Sequence, residues 1–275
     1  MHKYVESAVF KPPKPLLHFP DDFLNNGETD SVSDDCLELY QKTGVPSACA
    51  QHKNPKYVFI FFHGNNENIR SCHWFIKDLA EVMSGDVYAI EYKGYFTSKD
   101  NPKSAASESA CFEDAEKFVD AVKNSTNLPV ILVGYSLGCA LALHTASVYG
   151  KTNDFPHAIM LIAPFVSAAS AVLGRGAFSL AFSSIYSYSD VFTMKMSALQ
   201  QGHDVFVAAG GSDEIIPPIH SQKIAQWCSK FGHSKFLLVP EANHSSIRLY
   251  ADVYDNFKLF LMEKADRMYK NEKSK

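Results

Sequence analysis

From residue 57 onward, short runs of apolar residues alternate with segments whose apolar residues recur at helical spacing. The apolar runs show no regular alternation with polar residues, which is typical of strands buried on both faces of a parallel sheet. The segments between them have the periodicity of helices that cover such a sheet with one apolar face. We therefore predict an α/β fold, with a mostly parallel central sheet flanked by helices. The predicted strands are 57–62, 87–92, 130–135, 158–163, 205–209 and 235–239, and the predicted helices lie near 68–84, 107–124, 138–149 and 219–230.

A long final helix is predicted to begin near Ile247. Its apolar residues recur at helical spacing, so we expect them to face the sheet. These residues are Leu249, Val253, Phe257, Phe260 and Leu261.

The first 30 residues differ in composition from the rest, because a proline-rich stretch from Phe10 to Pro15 is followed by acidic and polar residues. Such a composition is typical of an extended segment. We predict that residues 1–30 form an extended arm on the surface of a single domain that spans residues 31–275. A chain of 275 residues with 46% apolar content can bury one large core of this kind.

One segment has an unusual character, because Arg175 is the only formally charged residue between positions 158 and 189. Pro164 and several glycines and serines interrupt it, which argues against a membrane-spanning helix. The connection to the next strand is also far longer than usual. We predict a helical cap or lid insertion at about 164–200 that lines a pocket for an acyl chain; the alternative is a buried helix pair that completes the core. The candidate pocket residues are Phe165, Leu173, Phe178 and Phe182.

The composition narrows the possible functions. Lysine and arginine number 26 against 30 aspartate and glutamate, a formal net charge of −4, so no nucleic-acid surface is expected. The six cysteines show neither a C-x-x-C pair nor zinc-ligand spacing, and no glycine-rich phosphate loop occurs, so we expect reduced thiols, no metal and no cofactor. The first residues lack an apolar signal-peptide core, and no apolar run reaches transmembrane length. We therefore expect a cytoplasmic protein with at most peripheral membrane contact, and the oligomeric state stays open.

Two glycines flank a serine in the pentapeptide Gly134-Tyr135-Ser136-Leu137-Gly138, which follows one predicted strand and precedes a predicted helix. In this context G-x-S-x-G marks a sharp strand-to-helix turn that exposes the serine at the end of the sheet. The glycines omit Cβ atoms that would collide in so tight a turn. Ser136 is therefore the candidate nucleophile; the alternative is a turn in which Ser136 only caps the helix.

A serine nucleophile needs a base, and the base needs an acid that orients it. In proteins built around such a turn, the acid and then the histidine follow in loops after later strands. Asp213 and His244 each lie just beyond a predicted strand, at the edge where open α/β sheets bind ligands. The chain order Ser136, Asp213, His244 is the expected one for a catalytic triad. Glu214, beside Asp213, is the alternative acid.

The segment His63-Gly64-Asn65 follows the first predicted strand of the sheet, where the oxyanion loop is expected. Gly64 allows the backbone to turn close to a substrate, and the Asn65 N–H can point into the site. The N–H of Leu137, directly after the nucleophile, would be the second oxyanion donor. The alternative is a simple turn in which His63 only packs against its neighbours.

Six segments along the chain share the features of one known protein family. They are a Phe-x-Pro-Pro arm (10–13), the oxyanion loop (63–65), a strand end (91–95), the nucleophile turn (134–138), the acid loop (212–216) and the histidine loop (243–250). On these segments the chain resembles serine hydrolases of the α/β-hydrolase superfamily, and within it the α/β hydrolase domain-containing protein 17 branch. Members of that branch remove palmitoyl groups from cysteines of membrane-anchored proteins. The resemblance therefore implies an α/β-hydrolase fold and a protein S-acyl thioesterase.

We therefore predict a serine hydrolase that cleaves acyl esters or thioesters through an acyl-enzyme on Ser136. The expected substrate is an acylated protein or a small acyl ester. The alternatives are a soluble carboxylesterase or lipase, a serine peptidase-like hydrolase, and a non-catalytic acyl-binding protein.

Overall fold

The computed structural model describes residues 10–18, 34–98, 105–150, 155–167 and 202–273. The strands in chain order are β1 (Leu17–His18), β2 (Ser47–Ala50), β3 (Tyr57–Phe62), β4 (Gly85–Ile90), β5 (Phe96–Thr97), β6 (Val130–Tyr135), β7 (Ala158–Ile162), β8 (Val205–Gly210) and β9 (Ser234–Val239). The helices are α1 (Asp34–Thr43), α2 (His73–Met83), α3 (Glu108–Lys123), α4 (Gly138–Tyr149), α5 (Ile219–Cys228) and α6 (Ala251–Lys273), with a 3₁₀ turn at Ser246–Leu249.

Seven strands form the central sheet in the order β2-β4-β3-β6-β7-β8-β9. All neighbouring strands are parallel except β2, which pairs antiparallel with β4 at the edge. The prediction of a mostly parallel sheet flanked by helices is confirmed. Each predicted strand is present, although β4 begins and ends two residues earlier than predicted.

The central strands are apolar throughout because helices cover both faces of the sheet. Along β3, Val58, Ile60 and Phe62 belong to one buried apolar layer, and Phe59 and Phe61 belong to the other. Helices α3, α4 and α5 contribute to the first layer, and helices α2 and α6 contribute to the second. The sheet is thereby buried on both faces, with the carboxyl ends of its parallel strands at one edge.

Helix α1 and strand β2 were not predicted from the sequence, and neither were the two-residue strands β1 and β5, which pair with each other. Strand β2 is short and only partly buried, because it lies at the edge of the sheet, where β4 is the one described strand that pairs with it. A short mixed sequence of this kind lacks the continuous apolar run by which the central strands are recognised.

The final helix begins later than predicted. The segment Ser246–Leu249 forms a 3₁₀ turn, and α6 starts at Ala251. The tighter winding of a 3₁₀ turn changes the direction of its side chains relative to an α-helix. The prediction that Leu249 faces the sheet is therefore wrong, because its side chain is 66% exposed. The other four residues of that prediction, Val253, Phe257, Phe260 and Leu261, are buried.

Two of the predicted segments fall largely outside the described residues. The arm predicted at 1–30 is described only over residues 10–18, where Phe10 is buried against Tyr95. The cap predicted at 164–200 is described only as far as Ser167; Phe165 is buried, while Leu173, Phe178 and Phe182 lie outside the described residues. Among the helices that are described, none has the length and apolar character needed to cross a membrane.

Candidate active site

The nucleophile turn joins the end of β6 to the start of α4. Ser136 has a φ of +52°, a left-handed backbone conformation that is uncommon for a residue with a side chain. A Cβ on Gly138 would lie 1.9 Å from the carbonyl oxygen of Phe62, and a Cβ on Gly134 would lie 2.5 Å from the Cα of Cys139. The absence of a side chain at Gly138 therefore lets the turn pass directly against the end of β3, and its absence at Gly134 lets the chain fold back closely on the start of α4.

His244 lies beyond β9 and Asp213 beyond β8, and the fold brings both to Ser136. The Nδ1 atom of His244 is 2.7 Å from Oδ2 of Asp213, and its Nε2 atom is 3.1 Å from Oγ of Ser136. A carboxylate can only accept a hydrogen bond, so Nδ1 carries the proton and donates it to Asp213. The Nε2 atom then has a free lone pair that faces the serine hydroxyl, which is the arrangement that a general base requires.

Asp213 is held by more than the imidazole. Its other oxygen, Oδ1, accepts hydrogen bonds from the amides of Ile215 and Ile216, at 2.9 and 2.8 Å. Its side chain is 1% exposed, whereas the neighbouring Glu214 is exposed to solvent. The structure thus brings Asp213 to His244 and leaves Glu214, the alternative acid, at the surface.

The segment His63-Gly64-Asn65 follows β3 and lies beside the nucleophile turn. The side-chain Oδ1 of Asn65 accepts hydrogen bonds from the Tyr95 hydroxyl at 2.6 Å and from the Lys11 amide at 2.9 Å. Leu137 is the residue before the first residue of α4, so its amide is among the helix N-terminal donors that have no acceptor within the helix. The Asn65 side chain is therefore anchored by its neighbours, and the Leu137 amide has no acceptor within its own helix.

His63 is fully buried beneath this segment. Its Nδ1 atom is 2.8 Å from the carbonyl oxygen of Gly64, and its Nε2 atom is 2.9 Å from a carboxylate oxygen of Glu91. Burial lowers the pKa of His63, but the charge of Glu91 and the two hydrogen bonds outweigh it, so the pKa is raised. The Gly64 carbonyl and the Glu91 carboxylate are both acceptors, and this arrangement favours the doubly protonated form of the ring, paired with a carboxylate. His63 thus supports the loop from below, which agrees with the packing role considered for it.

Two charged residues of the site were missed in the sequence. Glu67 and Arg248 form an ion pair between the loop after β3 and the 3₁₀ turn after His244. They lie 181 positions apart in the chain, and no motif or spacing links them. Throughout the part of the chain that the structure describes, the active-site region included, His, Cys, Asp and Glu side chains form no group of three that could hold a metal ion.

Residues 53–189 match the protein family described as Serine aminopeptidase, S33. L404 of Acanthamoeba polyphaga mimivirus, provisionally named an alpha/beta hydrolase, is 24% identical to this chain. The matched region covers 91% of this chain and 94% of the length of L404. Human alpha/beta hydrolase domain-containing protein 17B is 22% identical, over 76% of this chain and 68% of its own length. Among solved structures, TT1662 from Thermus thermophilus superimposes with a TM-score of 0.60 at 16% identity, covering 81% of this chain and 94% of that one.

Proposed function

The chain belongs to the α/β-hydrolase superfamily, and we propose that it is a serine hydrolase that cleaves acyl esters or thioesters. In this proposal Ser136 is the nucleophile, His244 the general base and Asp213 the residue that orients the base. The observation that supports it most strongly is the continuous series of hydrogen bonds from Asp213 through His244 to Ser136. The left-handed backbone at Ser136 adds support, because strain of this kind is concentrated at functional sites.

The proposed reaction has two halves. As Ser136 Oγ attacks the acyl carbon, its proton passes to Nε2 of His244, and the carbonyl oxygen becomes an oxyanion that accepts hydrogen bonds from the Asn65 and Leu137 amides. The C–O or C–S bond then breaks, and the departing alcohol or thiol takes the proton from Nε2. A water molecule repeats the attack on the acyl-enzyme with Nε2 as its base, which releases the acid and restores Ser136. Asp213 stays ionised and stabilises the imidazolium in both halves.

The finer proposal is that the substrate is an S-acylated cysteine, as in a protein thioesterase. It is supported by the similarity to alpha/beta hydrolase domain-containing protein 17B and by the long segment between residues 158 and 189, in which Arg175 is the only formally charged residue. An acylated protein of this kind would bring the enzyme to the cytoplasmic face of a membrane, by peripheral contact.

A second candidate is a carboxylesterase that acts on small esters. Its support is the fold's likeness to proteins named as esterases, such as carboxyl esterase 2 of Tuber melanosporum, with a TM-score of 0.55 at 13% identity over 80% of this chain and 79% of that one. A non-catalytic acyl-binding protein would not need the base that faces Ser136, so the intact hydrogen-bond series favours an enzyme.

The two candidates differ in how activity depends on the length of the acyl chain. We would measure kcat/KM for p-nitrophenyl esters and for matched acyl thioesters from acetyl to palmitoyl. For an acyl-chain pocket, each added CH₂ gains up to about 0.8 kcal/mol of burial, or up to about fourfold in kcat/KM, until the pocket is full. A profile that rises to long chains, with thioesters preferred, supports the thioesterase. A profile that peaks at acetyl contradicts it and favours the carboxylesterase.

A further inference from the structure

The Glu67–Arg248 pair joins two loops that carry different parts of the proposed machinery. Glu67 turns back on the loop after β3: its Oε2 atom accepts the amide of Gly64 at 2.9 Å, and its own amide donates to the Gly64 carbonyl at 3.3 Å. Its other oxygen, Oε1, pairs with the guanidinium of Arg248. One carboxylate therefore holds the residue before Asn65 and, at the same time, the turn that follows His244.

Arg248 also contacts the residue that precedes the nucleophile. Its guanidinium carbon lies 3.9 Å from the ring centre of Tyr135, within the range of a cation–π interaction. The Tyr135 hydroxyl donates to the carbonyl oxygen of His244 at 2.9 Å. Burial raises the pKa of Tyr135, so the hydroxyl keeps its proton and this bond persists at all ordinary pH values.

The environment of Arg248 is a costly place for a charge. Its side chain is 5% exposed and is surrounded by the rings of Trp74, Phe75 and Tyr135. Among the described residues, its Nε and Nη1 atoms have no hydrogen-bond partner. Burying an ion pair often adds little to stability, and the best-attested benefit is that it specifies one arrangement of the groups around it.

We propose that Glu67 and Arg248 are positioning residues. They fix the positions of the oxyanion loop, the nucleophile turn and the histidine loop relative to one another. This inference rests on the proposed serine-hydrolase function and assigns no contact with substrate to either residue. Their role is to hold the Asn65 amide and the His244 imidazole at the correct distance from Ser136. A displacement of about 1 Å in such a site costs about a hundredfold in rate.

The test uses Arg248→Met, which removes the charge, and Glu67→Gln, which keeps the shape of the side chain. With p-nitrophenyl acetate, each variant should lose about 10- to 100-fold in kcat with KM within about threefold of wild type, because the loss falls on transition-state geometry. The double variant should lose little more than either single variant, because all three break the same connection. Arg248→Lys keeps the charge but lacks the planar face that stacks on Tyr135, so it should recover only part of the rate.

A matched control separates positioning from stability. Arg267 pairs with Asp204 beside the amino end of β8, at the opposite edge of the sheet. Arg267→Met should lower the melting temperature while leaving kcat per folded molecule at the wild-type value. If Arg248→Met fails to fold, Glu67→Gln carries the test by itself, since it preserves the volume of the site.

The rate of covalent labelling by a fluorophosphonate completes the experiment. Slow labelling of folded Glu67→Gln and Arg248→Met beside rapid labelling of wild type and Arg267→Met supports the inference. Wild-type rates in both folded variants, or fully additive losses in the double variant, would overturn this inference alone. A wild-type protein that shows no Ser136-dependent labelling would overturn the proposed function, and this inference with it.

Discussion

Replacing Asp213 with Asn tests the proposed orientation of the base with little change in shape. Asp213 accepts two backbone amides on Oδ1 and the imidazole on Oδ2. In the Asn variant, one of these oxygens becomes an NH₂ group, which can only donate. Since the amides of Ile215 and Ile216 need an acceptor, we expect the remaining oxygen to stay with them and the NH₂ group to face Nδ1 of His244.

That orientation changes the tautomer of the histidine. An NH₂ group that donates to Nδ1 requires Nδ1 to be unprotonated, so the proton of neutral His244 moves to Nε2. A protonated Nε2 cannot take the proton of Ser136, although the distance between them is unchanged. The expected loss is about 10⁴-fold in kcat, the size of the effect of the same change in the catalytic triad of a serine protease. At 1.36 kcal/mol per factor of ten, this corresponds to about 5 kcal/mol of transition-state stabilisation.

The assay is steady-state hydrolysis of p-nitrophenyl acetate, with the folded fraction measured by circular dichroism. Asp213→Asn should melt close to the wild-type temperature because both backbone hydrogen bonds remain. Glu214→Gln is the control, and its kcat should stay within about twofold of wild type because Glu214 is exposed. A folded Asp213→Asn variant within tenfold of wild type, or a larger loss in Glu214→Gln, would show that Asp213 does not orient the base.

Two further predictions concern the framework of the site. Gly138→Ala places a methyl group 1.9 Å from the Phe62 oxygen, so the turn and β3 must separate, and kcat/KM should fall about a hundredfold or more. The control is Gly44→Ala, which adds its methyl group in open space at a φ of +71°. It should cost about 1 kcal/mol of stability and leave turnover unchanged. Equal kinetic effects of Gly138→Ala and Gly44→Ala would contradict the steric role of Gly138. The pKa of His63 is raised above 6.5 by Glu91, so the stability that this pair contributes is fully present below pH 6.5 and is lost as the pH rises through the folded-state pKa. In urea titrations, Glu91→Gln should therefore show its largest loss of unfolding free energy near pH 6 and a smaller loss at alkaline pH; a pH-independent loss would contradict the ion pair.

The central sheet could be predicted from the sequence because each central strand is a continuous apolar run that ends at a turn. The same property allowed the candidate site to be predicted, since Ser136, Asp213 and His244 each follow such a run at the carboxyl edge. Parallel strands bring those ends together whatever the intervening sequence, so three positions far apart in the chain could be placed in one site.

The sequence did not predict one ion pair, the direction of one side chain and one edge strand. Glu67 and Arg248 lie in no recognisable motif, and their pairing follows only from how two loops pack around Tyr135. Leu249 was placed on the wrong face because nothing in its helical spacing reveals that a 3₁₀ turn precedes α6. Strand β2 was missed because edge strands are short and half-exposed, so their sequences resemble loops.

The proposed reaction depends on a covalent acyl-enzyme formed by Ser136. The most direct measurement is intact-mass and peptide mass spectrometry of the whole chain after reaction with a fluorophosphonate, with Ser136→Ala as the matched variant. We predict one adduct per wild-type molecule, located on Ser136, and none on folded Ser136→Ala. An adduct on another residue, or a folded wild-type protein that stays unmodified, would show that Ser136 is not the nucleophile.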